Sequence, residues 1–434
     1  MRIDRSTTNF EREPMAAPFG FKGGYLTEMW QSVVGLHTRG GLDSVGLGSQ
    51  SILWCDARVF ADNSEAAGNC AMFQLTDFAA RKAREIDWNI PSDLLDRLLP
   101  ATYEHGKTLT GRPDLRMTFA LNALVPVDNA AWLLHAADRG IKTFDDLLPA
   151  DDRPALSVRQ QKVALVPLMS YGVPVEKIIQ AADEGCCVLK IKIGADPDHD
   201  GNLDRMLEWD KARLSAIHRA IGDRTTPHTT NGRIAYYLDA NGRYDTLDRL
   251  HRLLDHADKI GALDRIILLE EPFPEEVKVD VAKVPVRIAA DESAHTDKDA
   301  LERISLGYRA IALKPIAKTL SMTLRIIQTA RRHGIACLCA DLTVNPILVD
   351  WNKTVAARLP AVPGMQIGML ETNGHQNYRN WPQMMKYHPC CGASWATFKQ
   401  GVFNLDDDFY RRSGGIFETS AHYRELVTPP TPKT

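Results

Sequence analysis

Three lysines and three acidic residues stand at the ends of consecutive short apolar runs in the middle of the chain. They are Lys190, Lys192 and Lys314, and Asp239, Glu270 and Asp291. A lysine can take up and return a proton once its pKa falls towards the working pH, and clustered carboxylates can hold a hard divalent cation. These residue types together predict metal-assisted proton transfer.

The three acids follow neighbouring apolar runs, so their carboxylates are expected to converge. Three unscreened carboxylates cannot stay ionised together, and they therefore need a cation. Oxygen-only ligation by Asp239, Glu270 and Asp291, with no histidine or cysteine nearby, suits Mg²⁺, with Mn²⁺ as the alternative ion. Glu271 and Glu292 each follow a predicted ligand, so they are expected to face differently and to support a ligand or pair with a lysine.

Lys190 and Lys192 occupy positions i and i+2 of one predicted strand, so their side chains share a face. An outward face would place two amines in an apolar shell without partners, which is costly. The inward face would place them beside the acids of the next strands. We therefore predict that both lysines point inward.

The elements that must position these residues are eight apolar runs between residues 162 and 371. The runs are KVALVPLMS, CCVLKIKIG, RIAYYLDAN, RIILLEEP, VRIAADES, YRAIALKP, IACLCAD and GMQIGMLET. They alternate with mostly helical segments, which favours a parallel sheet, and eight strands close a (β/α)₈ barrel with its active site at the carboxyl ends of the strands. The weakest link follows the fourth run, where PEEVKVDVAKVP predicts only a short helix.

The first 155 residues have another pattern. Residues 20–75 alternate apolar and polar positions, with glycine turns at Gly40-Gly41 and Gly46–Gly48, and predict antiparallel strands. Residues 76–150 have apolar residues three and four apart and predict helices. We therefore predict an α/β fold of TIM-barrel type with a preceding α+β domain. The predicted divisions are an α+β domain over 1–155 and a barrel over 156–389.

Lys192 and Lys314 end the second and sixth predicted strands, which lie across the barrel axis. Each lysine is expected to reach one face of a substrate, so that one removes a proton and the other returns it. Burial and the positive charge of Mg²⁺ and Lys190 are expected to lower their pKa values. The alternative for Lys314 is a structural salt bridge with Asp291 or Glu292.

The motifs KIKIG, LDANGRYD, LEEPFP, AADES and ALKP, in this order, resemble the enolase superfamily. Within it they resemble the muconate lactonizing enzyme subgroup of the mandelate racemase/muconate lactonizing enzyme family, which carries Lys-x-Lys on strand two and lysine on strand six. The mandelate racemase subgroup, with histidine and aspartate at strands seven and six, fits worse. PFGFKGGYLTEMWQSVVGLHTRGG resembles the capping-domain strands of the superfamily.

The resemblance implies an enolase-like barrel, a Mg²⁺ cofactor and an isomerase or lyase activity. It also implies that the α+β domain over 1–155 is an N-terminal capping domain, completed by the C-terminal segment 390–434. It implies roles for nine residues: Asp239, Glu270 and Asp291 as metal ligands, Lys192 and Lys314 as the acid/base pair, Lys190 as the modulator of Lys192, and Asn241, Glu292 and Glu371 as supporting or substrate-contacting groups. A surface loop position is the alternative for Glu371. The segments KPIAKTLS, TTPHTTNGRIAYY and GLGSQSILW depart from the family pattern, so the substrate stays open.

Two lysines around one metal form a symmetric apparatus, so racemisation or epimerisation of an amino acid or of an acyl- or dipeptide-like carboxylate is the expected reaction. Cycloisomerisation or syn-dehydration by the same groups is the alternative. A catalytically silent, metal-binding barrel is an alternative of a different class.

Composition limits the partners. The 434 residues include 52 Lys and Arg and 55 Asp and Glu, for a net charge of −3, which argues against nucleic acid as a partner. No apolar run approaches the roughly 20 residues of a membrane span, and the start MRIDRSTTNFEREP predicts no secretory signal, so we expect a cytoplasmic protein without a membrane partner. The eight cysteines are expected to be reduced thiols. A small carboxylate substrate is the expected ligand, and a homo-oligomer is expected because barrels of this family often associate.

Overall fold

The structure is a computed structural model that describes residues 1–22 and 24–428. The β-strands are β1 (Arg5–Phe21), β2 (Gly24–His37), β3 (Asp43–Gln50), β4 (Lys162–Val166), β5 (Leu168–Met169), β6 (Val188–Lys192), β7 (Ala235–Asp239), β8 (Ile266–Glu270), β9 (Ile288–Ala290), β10 (Ala310–Leu313), β11 (Ala336–Cys339), β12 (Gly368–Glu371) and β13 (Val402–Asn404).

The α-helices are α1 (Ile52–Cys55), α2 (Ala57–Asp62), α3 (Glu65–Lys82), α4 (Pro91–Thr110), α5 (Met117–Arg139), α6 (Phe144–Leu147), α7 (Val175–Asp183), α8 (Leu203–Ile221), α9 (Leu247–Lys259), α10 (Asp297–Ser305), α11 (Pro315–Lys318), α12 (Leu320–Arg332), α13 (Pro346–Ala356), α14 (Gly374–Asn377), α15 (Trp381–Tyr387), α16 (Asp407–Arg412) and α17 (Ala421–Val427). Short 3₁₀ helices span Ala83–Glu85, Arg153–Leu156, Leu263–Arg265 and Ser413–Gly415.

Strands β4 to β12 form the predicted barrel. The order in the sheet is β13-β4-β12-β11-β10-β9-β8-β7-β6-β5. β4 and β5 belong to one extended segment interrupted at Pro167; β4 pairs with β12 and β5 pairs with β6. The sheet therefore closes on itself, and the prediction of an eight-stranded α/β barrel is confirmed.

The barrel interior places apolar residues below the polar mouth. A buried apolar cluster includes Val188, Tyr237, Leu268, Ala289 and Met369, one from each of five strands. Because side chains alternate along a strand, the residues two positions later point to the same interior. Those residues are Lys190, Asp239, Glu270, Asp291 and Glu371, so the inward face predicted for the lysines follows from the observed register.

The N-terminal region is a three-stranded antiparallel sheet, β1-β2-β3, packed against helices. The strands begin at Arg5, and the chain becomes helical at Ile52, so the prediction of strands over residues 20–75 is wrong at both ends. The predicted turn at Gly46–Gly48 is also wrong, because both glycines lie inside β3. A Cβ at Gly46 would collide with the backbone of α5 at Pro126 and Ala130, so glycine here permits close strand–helix packing.

The connection between β8 and β9 differs from the sequence prediction. Between β8 and β9 the chain contains turns, and the short helix predicted from PEEVKVDVAKVP does not form.

Helix α5 alone among the described residues is long and apolar enough to cross a membrane, but 89% of its apolar window is buried inside the protein. A buried, apolar helix of this kind is a core element, packed here between β3 and helices α3 and α4.

The C-terminal segment reaches both parts of the fold. β13 pairs with β4 and so extends the barrel sheet. Helix α17 packs on the N-terminal sheet, where the Asn9 side chain donates a hydrogen bond to the Leu426 carbonyl at 2.7 Å. The boundaries of the predicted domains stay a prediction, and the last six residues of the segment 390–434 lie outside the described residues.

Candidate active site

The predicted site residues meet at the carboxyl ends of the barrel strands. A small cavity at the barrel mouth is lined by eight of the nine: Lys190, Lys192, Asp239, Asn241, Glu270, Asp291, Lys314 and Glu371. Glu292 lies behind them and contacts Asn241. Strand register produces the grouping, because Lys192 is opposite Asp239 in the sheet and Asp239 is opposite Glu270.

Lys190 is the centre of an acidic cluster. Its Nζ lies 3.0 Å from Asp239 Oδ2, 3.0 Å from Glu270 Oε2 and 2.9 Å from Glu371 Oε2. The cation also lies 4.8 Å from the centre of the Tyr237 ring. Lys190 thus links the acids of strands β7, β8 and β12, and Glu371 belongs to the barrel mouth rather than to a surface loop.

Lys192 lies at the edge of the same cluster. Its Nζ is 2.5 Å from Asp239 Oδ2 and also donates to the Asn241 side-chain carbonyl. The Asn241 amide in turn donates to Glu292 at 2.9 Å, and Lys22 pairs with Glu292 at 2.9 Å. Lys22 stands at the end of β1, so this chain of contacts connects the N-terminal sheet to Lys192.

Lys314 reaches the site from the sixth barrel strand. Its Nζ lies 2.5 Å from Asp291 Oδ2 and 4.4 Å from the centre of the Trp54 ring. The ion pair expected under the structural alternative is therefore present. Lys318 is fully buried and donates to the carbonyls of Asp291 and Ala294 at 2.6 and 3.0 Å, so it supports the Asp291 backbone.

Sequence reasoning missed several contacts of the site. Tyr237 donates its hydroxyl to Glu270, and the period of two along β7 would have placed it on the same face as Asp239. Lys22 and Trp54 come from the N-terminal region, and no pattern in the sequence pointed to their partners. Glu271 accepts hydrogen bonds from the Ser293 amide and hydroxyl at 2.9 and 2.6 Å, so it braces the β9 loop.

Three residues that follow strand ends at the site adopt left-handed backbone conformations without being glycine. The φ angles are +44° for Asn241, +39° for Glu271 and +58° for Thr343. Such conformations cost about 1–3 kcal/mol each and persist where the surroundings hold them. Three such residues therefore lie at one barrel mouth, where the surrounding contacts hold them.

Neighbouring charges decide the direction in which the pKa of each buried carboxyl group shifts. Burial raises the pKa of Asp239, but the charges of Lys190 and Lys192 outweigh it and leave the pKa below its usual value. Burial and the neighbouring Asp239 hold the pKa of Glu270 well above its usual value. Burial opposes ionisation of Asp291 as well, yet Lys314 and Lys318 lower its pKa.

The expected lowering of the Lys314 pKa invokes Mg²⁺ as well as burial and Lys190, and it stays a prediction; in the chain without a cation the pKa shifts in the other direction. Burial acts to lower the pKa of Lys314, but Asp291 at 2.5 Å raises it above the ordinary value. The pKa of Lys190 also rises well above its ordinary value, because burial is outweighed by Asp239, Glu270 and Glu371. In the chain without a cation, the nearby carboxylates therefore favour the protonated forms of both lysines.

The donor set fits a hard divalent cation. Carboxylate oxygens of Glu270, Asp291 and Glu292 lie within 4.8 Å of one another, and oxygen-only ligands suit Mg²⁺. Glu270 and Asp291 belong to the predicted ligand set, whereas Asp239 directs Oδ2 at the two lysines of β6. The full set of Asp239, Glu270 and Asp291 stays a prediction.

The N-terminal region covers the mouth. Phe19 and Phe21 of β1, with ring centres 5.3 Å apart, line the cavity together with Ser51 and Trp54. The Trp54 indole N–H points at Asp291 Oδ2 from 3.4 Å. The cavity is therefore apolar on the side of the N-terminal sheet and charged on the side of the barrel.

The sequence of this chain is similar to a protein family and to an individual protein. Residues 175–380 match the family described as enolase C-terminal domain-like. Muconate cycloisomerase 1 of Rhodococcus opacus is 27% identical over 256 residues, which cover 53% of this chain and 65% of that protein. The match thus spans less than two thirds of the relative's length.

Solved structures share the whole fold. A dipeptide epimerase from Enterococcus faecalis V583, complexed with Mg and the dipeptide L-Leu-L-Tyr, has a TM-score of 0.64 at 18% identity and covers 94% of this chain and 98% of its own. A mandelate racemase/muconate lactonizing protein from Herpetosiphon aurantiacus has a TM-score of 0.63 at 16% identity. That match covers 94% of this chain and 96% of the other. A dipeptide epimerase from Cytophaga hutchinsonii, complexed with Mg and D-Ala-L-Val, has a TM-score of 0.63 at 17% identity, with 93% of each chain covered.

Proposed function

Because residues 175–380 match the family described as enolase C-terminal domain-like, we propose that the chain is an isomerase that removes the proton α to a substrate carboxylate and returns it on the opposite face. The proposed reaction is the racemisation or epimerisation of an amino acid or of an acyl- or dipeptide-like carboxylate. One observation carries the proposal: β6 with Lys192 and β10 with Lys314 have three strands between them on either side of the barrel. Both lysines line one cavity, so each could serve a different face of a bound substrate.

Lys192 and Lys314 hold and move the proton. The lysine on the side of the departing hydrogen takes it on Nζ, and the other donates a proton from Nζ to the opposite face of the same carbon. Lys190, which touches three carboxylates, keeps its charge and helps to neutralise the cluster around Asp239. Asn241 orients Lys192 through its side-chain carbonyl.

Asp239, Glu270 and Asp291 would hold the cation, and Glu292 is close enough to support them. When bound, Mg²⁺ supplies positive charge that neutralises these carboxylates, lowers the pKa of nearby lysines and stabilises negative charge on the substrate carboxylate. The carboxylates keep the lysines in place, and the aromatic side chains Phe19, Phe21 and Trp54 exclude water from the mouth. Mn²⁺ is the alternative ion.

Cycloisomerisation is the second candidate, because muconate cycloisomerase 1 is among the proteins to which the chain is similar. In that case one lysine transfers the proton and the other acts only as a cation. Syn-dehydration would use the groups in the same way. A catalytically silent, metal-binding barrel would keep the fold and lose the proton transfer. A cytoplasmic location and a homo-oligomeric state remain predictions.

Exchange in D₂O tests the proposal. The protein is incubated with Mg²⁺ and panels of dipeptides, N-acyl amino acids and cis,cis-muconate, and the α-hydrogen signal is followed by ¹H NMR. We expect deuterium at the α-carbon of at least one carboxylate, with loss of exchange on addition of EDTA. Lactone formation from muconate without α-exchange of the other substrates would favour the second candidate. Retention of all biological activity in Lys192→Ala would support the silent barrel.

A further inference from the structure

Asp341 follows β11 at the barrel mouth and lines the same cavity as the lysines. The residue is only 5% exposed. Its Oδ2 accepts a hydrogen bond from the Asn373 amide at 2.7 Å. Its Oδ1 is buried and has no hydrogen-bond partner among the described residues. A buried carboxylate oxygen without a partner is costly, so its presence in a binding cavity needs a reason.

No positively charged side chain among the described residues forms an ion pair with Asp341. Lys190, the cation of this side of the mouth, is engaged by Asp239, Glu270 and Glu371. Glu371 Oε2 is shared between Lys190 at 2.9 Å and the Asp341 amide at 3.3 Å, so a second negative charge lies beside Asp341. Burial and Glu371 together raise the pKa of Asp341 to about 7, although nearby backbone amides oppose the rise.

The wall that carries Asp341 is built into the fold. Thr343 is β-branched and has a left-handed φ of +58°, which is strained for this residue type. Its hydroxyl donates to Asn373 at 2.6 Å, and its carbonyl accepts from the Tyr378 hydroxyl at 2.5 Å. Gln31 of the N-terminal sheet donates to the same hydroxyl at 2.8 Å. Contacts from three elements thus hold the strained turn that follows Asp341.

The cavity charge indicates what Asp341 contacts. Five carboxyl groups and three lysines line the cavity, so acidic groups outnumber cations. A divalent cation on the side of β7 to β9 would remove that excess there, but Asp341 lies on the other side, between β10 and β12. A ligand group that donates a hydrogen bond would satisfy the free oxygen, whereas a second ligand carboxylate would be repelled.

We infer that Asp341 is a specificity-determining residue that accepts a hydrogen bond from a nitrogen of the substrate, either an ammonium group or an amide N–H. This inference rests on the proposed function and deepens it, because it selects the substrate class. Carboxylates that carry a nitrogen donor are bound, and dicarboxylates without such a donor, such as muconate, are disfavoured. The site therefore suits amino-acid or peptide-like substrates better than the second candidate reaction.

Calorimetry on three probes tests this inference without turnover. The probes are L-Leu-L-Tyr, its analogue 4-methylpentanoyl-L-Tyr that lacks only the ammonium group, and cis,cis-muconate, each titrated into protein loaded with Mg²⁺. Wild type is compared with Asp341→Asn, which preserves shape, and with Asp341→Leu. Melting temperatures of the three proteins show that the variants fold.

We expect wild type to bind at least one peptide probe about tenfold or more tightly than muconate, and Asp341→Leu, which removes the acceptor, to reduce this preference to near unity. Loss confined to L-Leu-L-Tyr identifies the ammonium as the donor, and loss with both peptide probes identifies the amide. Equal affinity of wild type for the three probes, or a preference unchanged in both variants, overturns the inference. Absence of α-exchange together with an Asp341-dependent preference would refute the proposed reaction and leave this contact standing.

Discussion

Carboxylates contact each of the three lysines at the barrel mouth. Asp239 lies within 3.0 Å of both Lys190 and Lys192, and Asp291 lies 2.5 Å from Lys314. The sequence spacing of Lys190 and Lys192 predicted their common face, since alternation along a strand is local. It could not predict the direction of the Lys314 pKa shift, because that depends on which charge lies closest in space.

Substitution of one acid/base lysine at a time tests which face of the substrate each lysine serves. We expect Lys192→Ala and Lys314→Ala each to abolish α-deuterium exchange with one stereoisomer and to keep exchange with the other. Racemisation needs both lysines, so it should fall by about 10²-fold or more in each variant. Exchange of each purified stereoisomer, followed by ¹H NMR, provides the measurement.

Lys177→Ala is the matched control, because Lys177 is exposed on α7 and its side chain donates a hydrogen bond to Gln180, away from the barrel mouth. Its exchange rates should equal those of wild type. Undiminished racemisation in Lys192→Ala would contradict the two-lysine reaction.

The strands and helices position the site through register and buried polar contacts. Strand register aligns Lys192, Asp239 and Glu270 in one row. Helices α5 and α12 are joined by Asp128, which is 5% exposed and accepts hydrogen bonds from the Ser321 amide at 3.1 Å and from its hydroxyl. The apolar spacing predicted α5, but the contact between α5 and the barrel helix α12 depends on residues 193 positions apart.

Asp128 should make stability depend on pH. Burial raises its pKa to about 6, from an ordinary value of 3.8, so the folded state favours the protonated form. Its contribution is complete below about pH 4 and is lost as pH rises through about 6. The free energy of unfolding of wild type, relative to Asp128→Asn, should fall by on the order of 3 kcal/mol between pH 4 and 7. Urea unfolding at several pH values measures this difference.

The exposed Asp138 near the end of α5 supplies the control. Asp138→Asn should leave the pH dependence of unfolding equal to that of wild type. A difference between wild type and Asp128→Asn that stays constant over this range would refute the role assigned to Asp128.

At the scale of the whole molecule, the site lies where the N-terminal sheet meets the barrel. Phe19 and Trp54 come from the first 55 residues, whereas the charged groups come from strands that span residues 188 to 371. The C-terminal segment then returns to both parts through β13 and α17. Folding of the complete chain is therefore needed to enclose the cavity.

Metal binding should stabilise this assembly. A cation that binds the convergent carboxylates binds only the folded chain, so Mg²⁺ at 100 times its Kd should stabilise wild type by about 2.7 kcal/mol. We expect saturating Mg²⁺ to raise the melting temperature by a few degrees, and EDTA to reverse the shift. Glu270→Gln should lose most of this response, because it removes one carboxylate of the cluster.

Glu104→Gln, on the exposed face of α4, is the matched control and should respond to Mg²⁺ as wild type does. Differential scanning calorimetry with and without Mg²⁺ compares the three proteins. An equal response in Glu270→Gln would place the ion elsewhere.

The sequence by itself determined the eight alternating strands, the inward face of Lys190 and Lys192, and the acids that end β7, β8 and β9, because these features follow from local periodicity. Only the tertiary structure decided that Lys314 pairs with Asp291, that Lys22 and Trp54 reach the barrel mouth, and that Asp341 keeps an oxygen without a partner among the described residues. Those outcomes depend on distances between residues far apart in the chain. Charge and burial act through space, so a linear pattern cannot contain them.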